Sequence, residues 1–150
     1  MLIRRAHIDD ADALTALAHA AKSHWGYPPR WIEIWKDDLT FTPDFIRAHP
    51  VFVATERDTI LGCYALMLDG DKGIVEHFWV HPSAMGKGLG RTLFDHASTQ
   101  AAAHGATWLE IDTDPQAEGF YLHLGARRIG EYVYQLEGQP RVLPRLAVDL

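Results

Sequence analysis

The sequence predicts a mixed α/β fold, a central sheet with helices on both faces. Three observations carry this. Seven short segments read as strands, several amphipathic segments read as helices, and their order is β-α-α-β-β-β-α-β-α-β-β, which implies a mixed sheet. No repeat, low-complexity stretch or linker interrupts the pattern. A chain of 150 residues suits a single domain, residues 1–150, with a core of its own.

Each element has a local reason. Leu2 to Arg5 is a short strand. Asp9 is placed to cap a helix from Asp10 to about Lys22, whose Leu14, Leu17, Ala18 and Ala21 share one face. Ser23 to Pro29 is a loop, followed by a helix from Arg30 to about Leu39 that carries Trp31, Ile34 and Trp35. Thr42-Pro43-Asp44 opens a helix of one or two turns with proline at its first position. Val51 to Glu56 and Thr59 to Leu68 flank a turn at Arg57-Asp58 and read as an antiparallel hairpin. Asp69-Gly70-Asp71 then turns into a strand from Gly73 to Val80. Leu89, Leu93, Ala97 and Ala101 recur every four residues on a helix that begins at Gly90 and ends at Gly105. Thr107 to Asp112 is a strand, Gln116 to Leu124 a short helix ending at Gly125, and Arg128 to Leu136 another strand. The final strand, Arg141 to Asp149, contains Pro144, which predicts an edge or a bulge there.

Composition narrows the classes of partner. With 47% hydrophobic and 23% charged residues, the chain matches an ordinary globular protein. Its formal charge is −6, and its longest basic stretches are the pairs Arg4-Arg5 and Arg127-Arg128. A nucleic-acid-binding surface needs clustered cations, so none is expected. No segment approaches membrane-spanning length, and Met1-Leu2-Ile3-Arg4-Arg5 lacks the apolar run of a signal peptide. The expectation is a cytoplasmic protein without a membrane partner. The single Cys63 excludes an internal disulfide and, within an apolar run, reads as a buried inert thiol. His77 and His81 are four apart, but a strand running into Pro82 does not bring them onto one face. His19, His24 and His123 have no ligand spacing, so no metal site is expected.

The stretch from Val80 to Leu93 carries the chemistry. An apolar strand runs into Gly86, Gly88 and Gly90, and a helix follows. Glycine admits positive φ and a close ligand, and a helix start offers unpaired N–H groups to an anion. The segment is thus a recipe for holding a phosphate. A Walker-type loop would need Ser or Thr after Gly86-Lys87, where Gly88 stands. A dinucleotide fingerprint would need a glycine at Arg91 or at Leu93.

The segment resembles instead the acyl-CoA loop of the GNAT superfamily of N-acetyltransferases, Gln/Arg-x-x-Gly-x-Gly/Ala after a strand ending in Val-x-Pro. Val80-His81-Pro82 supplies the strand end and Met85-Gly86-Lys87-Gly88-Leu89-Gly90 the loop, with Met85 in place of Gln or Arg. Phe120-Tyr121-Leu122-His123-Leu124-Gly125-Ala126 resembles the family's Phe-Tyr-x-x-x-Gly-Phe segment, and Ala117 also matches.

The resemblance implies a mostly antiparallel sheet of about seven strands, splayed between the fourth and fifth. It implies acetyl-CoA as co-substrate, its pantetheine arm along Phe78, Trp79 and Val80. The pyrophosphate would lie on the amides of Gly86, Lys87, Gly88, Leu89, Gly90 and Arg91, where backbone donors bring no competing side chain. Lys87 and Arg91 could add charge, and Asp114 stands where relatives often place a CoA-contacting Asn. The chemistry implied is direct attack of an amine on the thioester in a ternary complex, with the amide of Val80 as oxyanion donor. Tyr121 matches the tyrosine that protonates or hydrogen-bonds the leaving sulfur; a phenol of pKa about 10 can donate at neutral pH. For the base the sequence offers Glu76, on one strand face with Phe78 and Val80, and after it Glu110, with Asp112 two residues on. The acceptor would be a small-molecule or peptide amine, met by Trp25 and Tyr27, whereas Trp31 and Trp35 read as core packing. A homodimer is left open, as is a catalytically silent acyl-CoA-binding module.

Overall fold

A computed structural model describes all 150 residues, Met1–Leu150. Its strands are β1 (Leu2–Arg5), β2 (Val51–Glu56), β3 (Thr59–Asp69), β4 (Lys72–Val80), β5 (Trp108–Asp112), β6 (Arg127–Leu136) and β7 (Gln139–Asp149). They form one seven-stranded sheet in the order β1-β2-β3-β4-β5-β7-β6. The helices are α1 (Ala11–Ser23), α2 (Pro29–Ile34), α3 (Pro43–Ala48), α4 (Leu89–Ala103) and α5 (Glu118–His123). Neighbouring strands run antiparallel at β1–β2, β2–β3, β5–β7 and β6–β7. β4 and β5 run parallel, from Lys72↔Trp108 to Ile74↔Glu110. The seven-stranded, mostly antiparallel sheet expected from the sequence is the sheet found. No helix is long and apolar enough to cross a membrane.

The chain divides into two compact units, Met1–Leu66 with His77–Ala97 and Met67–Glu76 with Ser98–Leu150. In the first, α1 buries Ala11, Leu14, Leu17, Ala18 and Ala21, the face its periodicity predicts. Its start differs from expectation. Asp9 caps nothing; the His7 ring accepts the Asp9 N–H at 3.2 Å while Asp10 accepts the His7 N–H at 2.7 Å, a capping box around a 3-10 turn, Ile8–Asp10. Helix α2 stops at Ile34 rather than Leu39, and Trp35–Leu39 continues as turns. The acidic pair Asp37-Asp38 would stand at the C-terminal end of a longer helix, where the dipole disfavours negative charge. Thr42 caps α3 through the Phe45 N–H at 3.1 Å. The β2–β3 turn takes φ 51° at Arg57 and 65° at Asp58, the two left-handed residues of the tight turn that matches strand twist.

This unit shows packing on both faces of its strands. Phe78 meets Phe94 of α4 at 6.1 Å between ring centroids, and the Tyr64 hydroxyl meets His96 Nδ1 at 2.7 Å. The neighbouring His77 projects to the opposite face, against Phe41 at 4.2 Å and Phe45 at 5.7 Å. Helix and strand approach closely at Gly62, where an added Cβ would lie 2.7 Å from Leu93 Cδ1. Burial drives the Cys63 thiol pKa upward, which leaves it unreactive.

In the second unit β7 lies between β5 and β6, so the edge position that Pro144 suggested is not found. The proline is tolerated for another reason. The β5 ladder ends at Asp112↔Arg145, and the Pro144 carbonyl accepts the Thr113 N–H at 3.0 Å just beyond it. A strand residue's N and C=O point to the same side, so the missing donor faces the end of β5 and leaves β6 pairing intact. The bulge that was the other expectation lies beside it on the partner strand: the β6–β7 register shifts between Arg128 and Gly130, opposite Leu146 and Arg145, and Pro144 itself faces Glu131.

Candidate active site

The glycine loop is built from turns that follow one another without a gap. His81 donates its N–H to Leu61 O at 2.8 Å, and its ring accepts the Ser83 N–H at 3.1 Å, capping a 3-10 turn over Pro82–Ala84. Gly86 and Gly88 follow with φ of 74° and 85°. An added Cβ would meet nothing within 4 Å at either position, so the demand for glycine there is one of backbone conformation. Gly88 O accepts the Thr92 N–H at 3.2 Å and the Thr92 hydroxyl at 3.1 Å. That makes Gly88 the cap, and α4 starts at Leu89, one residue before Gly90. The amides of residues 89–91 thus precede the first intrahelical donor and are open to an anion. Lys87 and Arg91 are exposed beside them, and Leu89 is buried.

The end of β4 alternates as predicted. Phe78 and Val80 share the α4 side, half-buried, and His77 and Trp79 share the other. His77 was not expected to matter. Trp79 Nε1–H donates to His77 Nδ1 at 2.9 Å, which puts the proton of the neutral ring on Nε2. Burial holds its pKa down at about 4, because an imidazolium against Phe41 would lose its hydration.

In the second unit Glu76 is exposed on β4 and Tyr121 is buried in α5. Burial pushes the Tyr121 phenol pKa upward, so it stays protonated well into alkaline solution. The spacing of its motif has a backbone cause. Gly125 takes φ 98°; its N–H reaches Leu122 O at 3.1 Å, and the Ala126 N–H reaches Tyr121 O at 3.1 Å. These are the paired bonds that close a helix at a left-handed glycine, and they tie the tyrosine to a glycine four residues on.

Three further carboxylates have partners across the sheet or along the chain. Glu110 Oε2 lies 3.5 Å from Lys72 Nζ, which also sits 5.7 Å from the Trp108 ring centroid. Asp112 holds Arg145 through two bonds of 2.7 and 2.9 Å. Asp114 Oδ1 accepts the Gln116 N–H at 2.9 Å and its Oδ2 meets Arg141 at 3.3 Å. Of the three sequence candidates beside Tyr121, Glu76 and Asp112 are exposed and Glu110 is half-buried.

Tyr27 and Trp25 occupy different surroundings. Tyr27 packs tilted against Trp31 at 5.8 Å and edge-on to Trp35 at 5.1 Å, and the Lys22 ammonium sits 5.3 Å from Tyr27 and 4.5 Å from Trp35. Trp25 sets its ring edge-on to His24 at 5.5 Å. Sequence reading missed Lys22, Lys72, Arg141 and Arg145 as partners because each meets its group across a turn or a strand pair. Only the two-residue spacing of Asp112 and Asp114 and the four-residue spacing of Arg141 and Arg145 hinted at shared faces. No cluster of three or more His, Cys, Asp or Glu suited to a metal occurs.

The chain thus carries a glycine loop opening a long helix and, further on, a buried tyrosine on a short glycine-capped helix, and comparison with known proteins gives the class. A family model for the acetyltransferase (GNAT) domain matches residues 47–125, and the chain belongs to that family. Solved structures agree on the fold. A GCN5-related N-acetyltransferase from Rhodopseudomonas palustris is 21% identical with a TM-score of 0.83, covering 99% of this chain and 95% of its own. The paia N-acetyltransferase of Thermoplasma acidophilum, solved in complex with coenzyme A, is 19% identical at 0.76, covering 99% and 98%. The ribosomal-protein-S18-alanine N-acetyltransferase of Escherichia coli is 16% identical at 0.72, covering 99% and 92%.

Proposed function

We propose that residues 1–150 act as one catalytic domain that moves acetyl from acetyl-CoA to the amine of a small molecule or peptide by direct attack. The observation that carries this is the glycine loop, whose left-handed Gly86 and Gly88 present the first amides of α4. The pyrophosphate rests on residues Gly86 to Arg91, with Lys87 and Arg91 adding charge, and the pantetheine arm follows Phe78 to Val80. The amine must arrive neutral, and Glu76 takes its proton, directly or through a water. The Val80 amide stabilises the oxyanion. Tyr121 donates to the departing sulfur; its raised pKa suits a hydrogen bond that steadies the thiolate as the C–S bond breaks.

Glu110, Asp112 and Asp114 serve structure in this reading, since Lys72, Arg145 and Arg141 hold them. Trp25 is the better candidate for the acceptor wall, because Tyr27 is committed to the Trp31–Trp35 cluster.

The test combines thermal stabilisation by acetyl-CoA with thiol release across an amine library. Stabilisation together with turnover on at least one amine, lost in Glu76→Gln and Tyr121→Phe, supports the assignment. Stabilisation with no turnover on any amine would leave a binding module in place of an enzyme. No stabilisation at all would remove acetyl-CoA as the donor.

A further inference from the structure

We infer that Arg141 is a positioning residue for Tyr121, acting through Asp114 and the turn that leads into α5. The inference rests on the reading of Tyr121 as hydrogen-bond donor to the leaving sulfur and adds a residue that no motif marks.

Two ion pairs stand side by side between β5 and β7. Arg145 and Arg141 are four residues apart on β7, Asp112 and Asp114 two apart at the end of β5, so both pairs share one side of their strands. They differ in burial. Arg145 and Asp112 are 33% and 29% exposed, Arg141 and Asp114 only 12% and 11%. A buried pair adds little net stability, because desolvation offsets the attraction, but it fixes geometry.

Here the fixed geometry is that of α5. Asp114 receives the Gln116 N–H at 2.9 Å through one carboxylate oxygen and the Ala117 N–H at 2.9 Å through its carbonyl, forming the 3-10 turn Pro115–Ala117. Glu118 continues that turn directly into α5, and Tyr121 is its fourth residue. The other end of α5 is pinned by Gly125 and Ala126. A helix of six residues is too short to hold its own orientation in water, so its anchors decide where the phenol lies. Arg141 is the anchor that ties the first of them to β7, a strand paired on both sides.

The experiment compares three variants in thiol release with acetyl-CoA across the amine library and in amide exchange of α5. Arg141→Met is expected to lower kcat about 100-fold with KM for acetyl-CoA within twofold, the scale of a misplaced catalytic group. It should also speed exchange at Gln116 and Ala126 while leaving α1 unchanged. Because that variant strands a buried carboxylate and could unfold, Asp114→Asn is added to it. The double variant should recover the parent Tm, yet its kcat should stay low; a purely structural role would restore both. Arg141→Met combined with Tyr121→Phe should be no slower than the slower single variant, as expected for residues acting as one unit. Multiplying losses, or unchanged exchange at Gln116, would overturn the inference. Tyr121→Phe with full activity would instead sink the donor assignment, while the exchange data still report whether Arg141 holds α5.

Discussion

The glycine loop and the α5 region hold their working groups by opposite means. Between Val80 and Thr92 the geometry lies in backbone: two left-handed glycines, a capped 3-10 turn and the first amides of α4. Between β5 and β7 it lies in side chains, with Asp112, Asp114, Arg141 and Arg145 locking strand ends and the approach to α5. Backbone sites tolerate changes of side chain, because the donors are amides that every residue but proline carries. Side-chain sites depend on partners far apart in sequence, so they change only in pairs.

The sharpest way to test this contrast is Tyr121→Phe, which removes one oxygen and leaves the fold. An expected loss of about 100-fold in kcat, at the lower end of general acid catalysis, with unchanged KM for acetyl-CoA, would show that the α5 region acts in the chemical step alone. Steady-state kinetics decide it. A matching rise in KM would mean that the two regions share cofactor binding, and the division would fail.

His77 gives the next effect. Its pKa is about 4 in the fold against about 6.5 for an unperturbed ring. Between those values the unfolded chain binds the extra proton, so stability is intact above pH 6.5 and declines as pH falls toward 4. The full decline amounts to about 3 kcal/mol. Urea denaturation at pH 7 and pH 4.5 should show most of it, and His77→Asn should flatten the difference. An equal slope in the variant would place the acid sensitivity elsewhere.

Gly88→Ala tests the backbone side. The added methyl has open space, so only the left-handed φ is penalised, by about 1–2 kcal/mol. If the loop relaxes to avoid that strain, KM for acetyl-CoA should rise about tenfold with kcat nearly constant. Smallest is Arg145→Ala. Its pair with Asp112 is a third exposed, and the expected loss is under about 1 kcal/mol in denaturant midpoint, well below that of Arg141→Met.

The same contrast explains what was legible from the sequence. The succession of strands and helices, the β2–β3 hairpin, the buried face of α1 and the glycine loop were all visible, because each element is encoded in a short run of consecutive residues. The Phe-Tyr-x-x-x-Gly segment was visible for the same reason, its spacing being that of a helix closure. Asp9 misled because His7, two residues earlier, supplies a ring nitrogen that can cap. Helix α2 read too long because Trp31, Ile34 and Trp35 fit a helical stripe, yet Trp35 is held by the ring cluster and not by continued helix. Arg141 was invisible because its partner lies 27 residues away and the register of β7 could not be read from either strand alone. Likewise Pro144 suggested an edge or a bulge, and the edge alternative failed because nothing local shows that β7 returns between β5 and β6.

That return has a consequence for the making of the protein. Asp112 faces Arg145 at the near end of the β5–β7 ladder, so β5 meets its antiparallel neighbour only after 33 further residues have been synthesised. While a ribosome is still adding them, β5 has one open flank and Asp112 and Asp114 have no guanidinium to meet. Translation at about 5–20 residues per second leaves that flank bare for several seconds. Vectorial synthesis can assemble α1 to α4 in order, but the tyrosine helix must wait for the chain behind it.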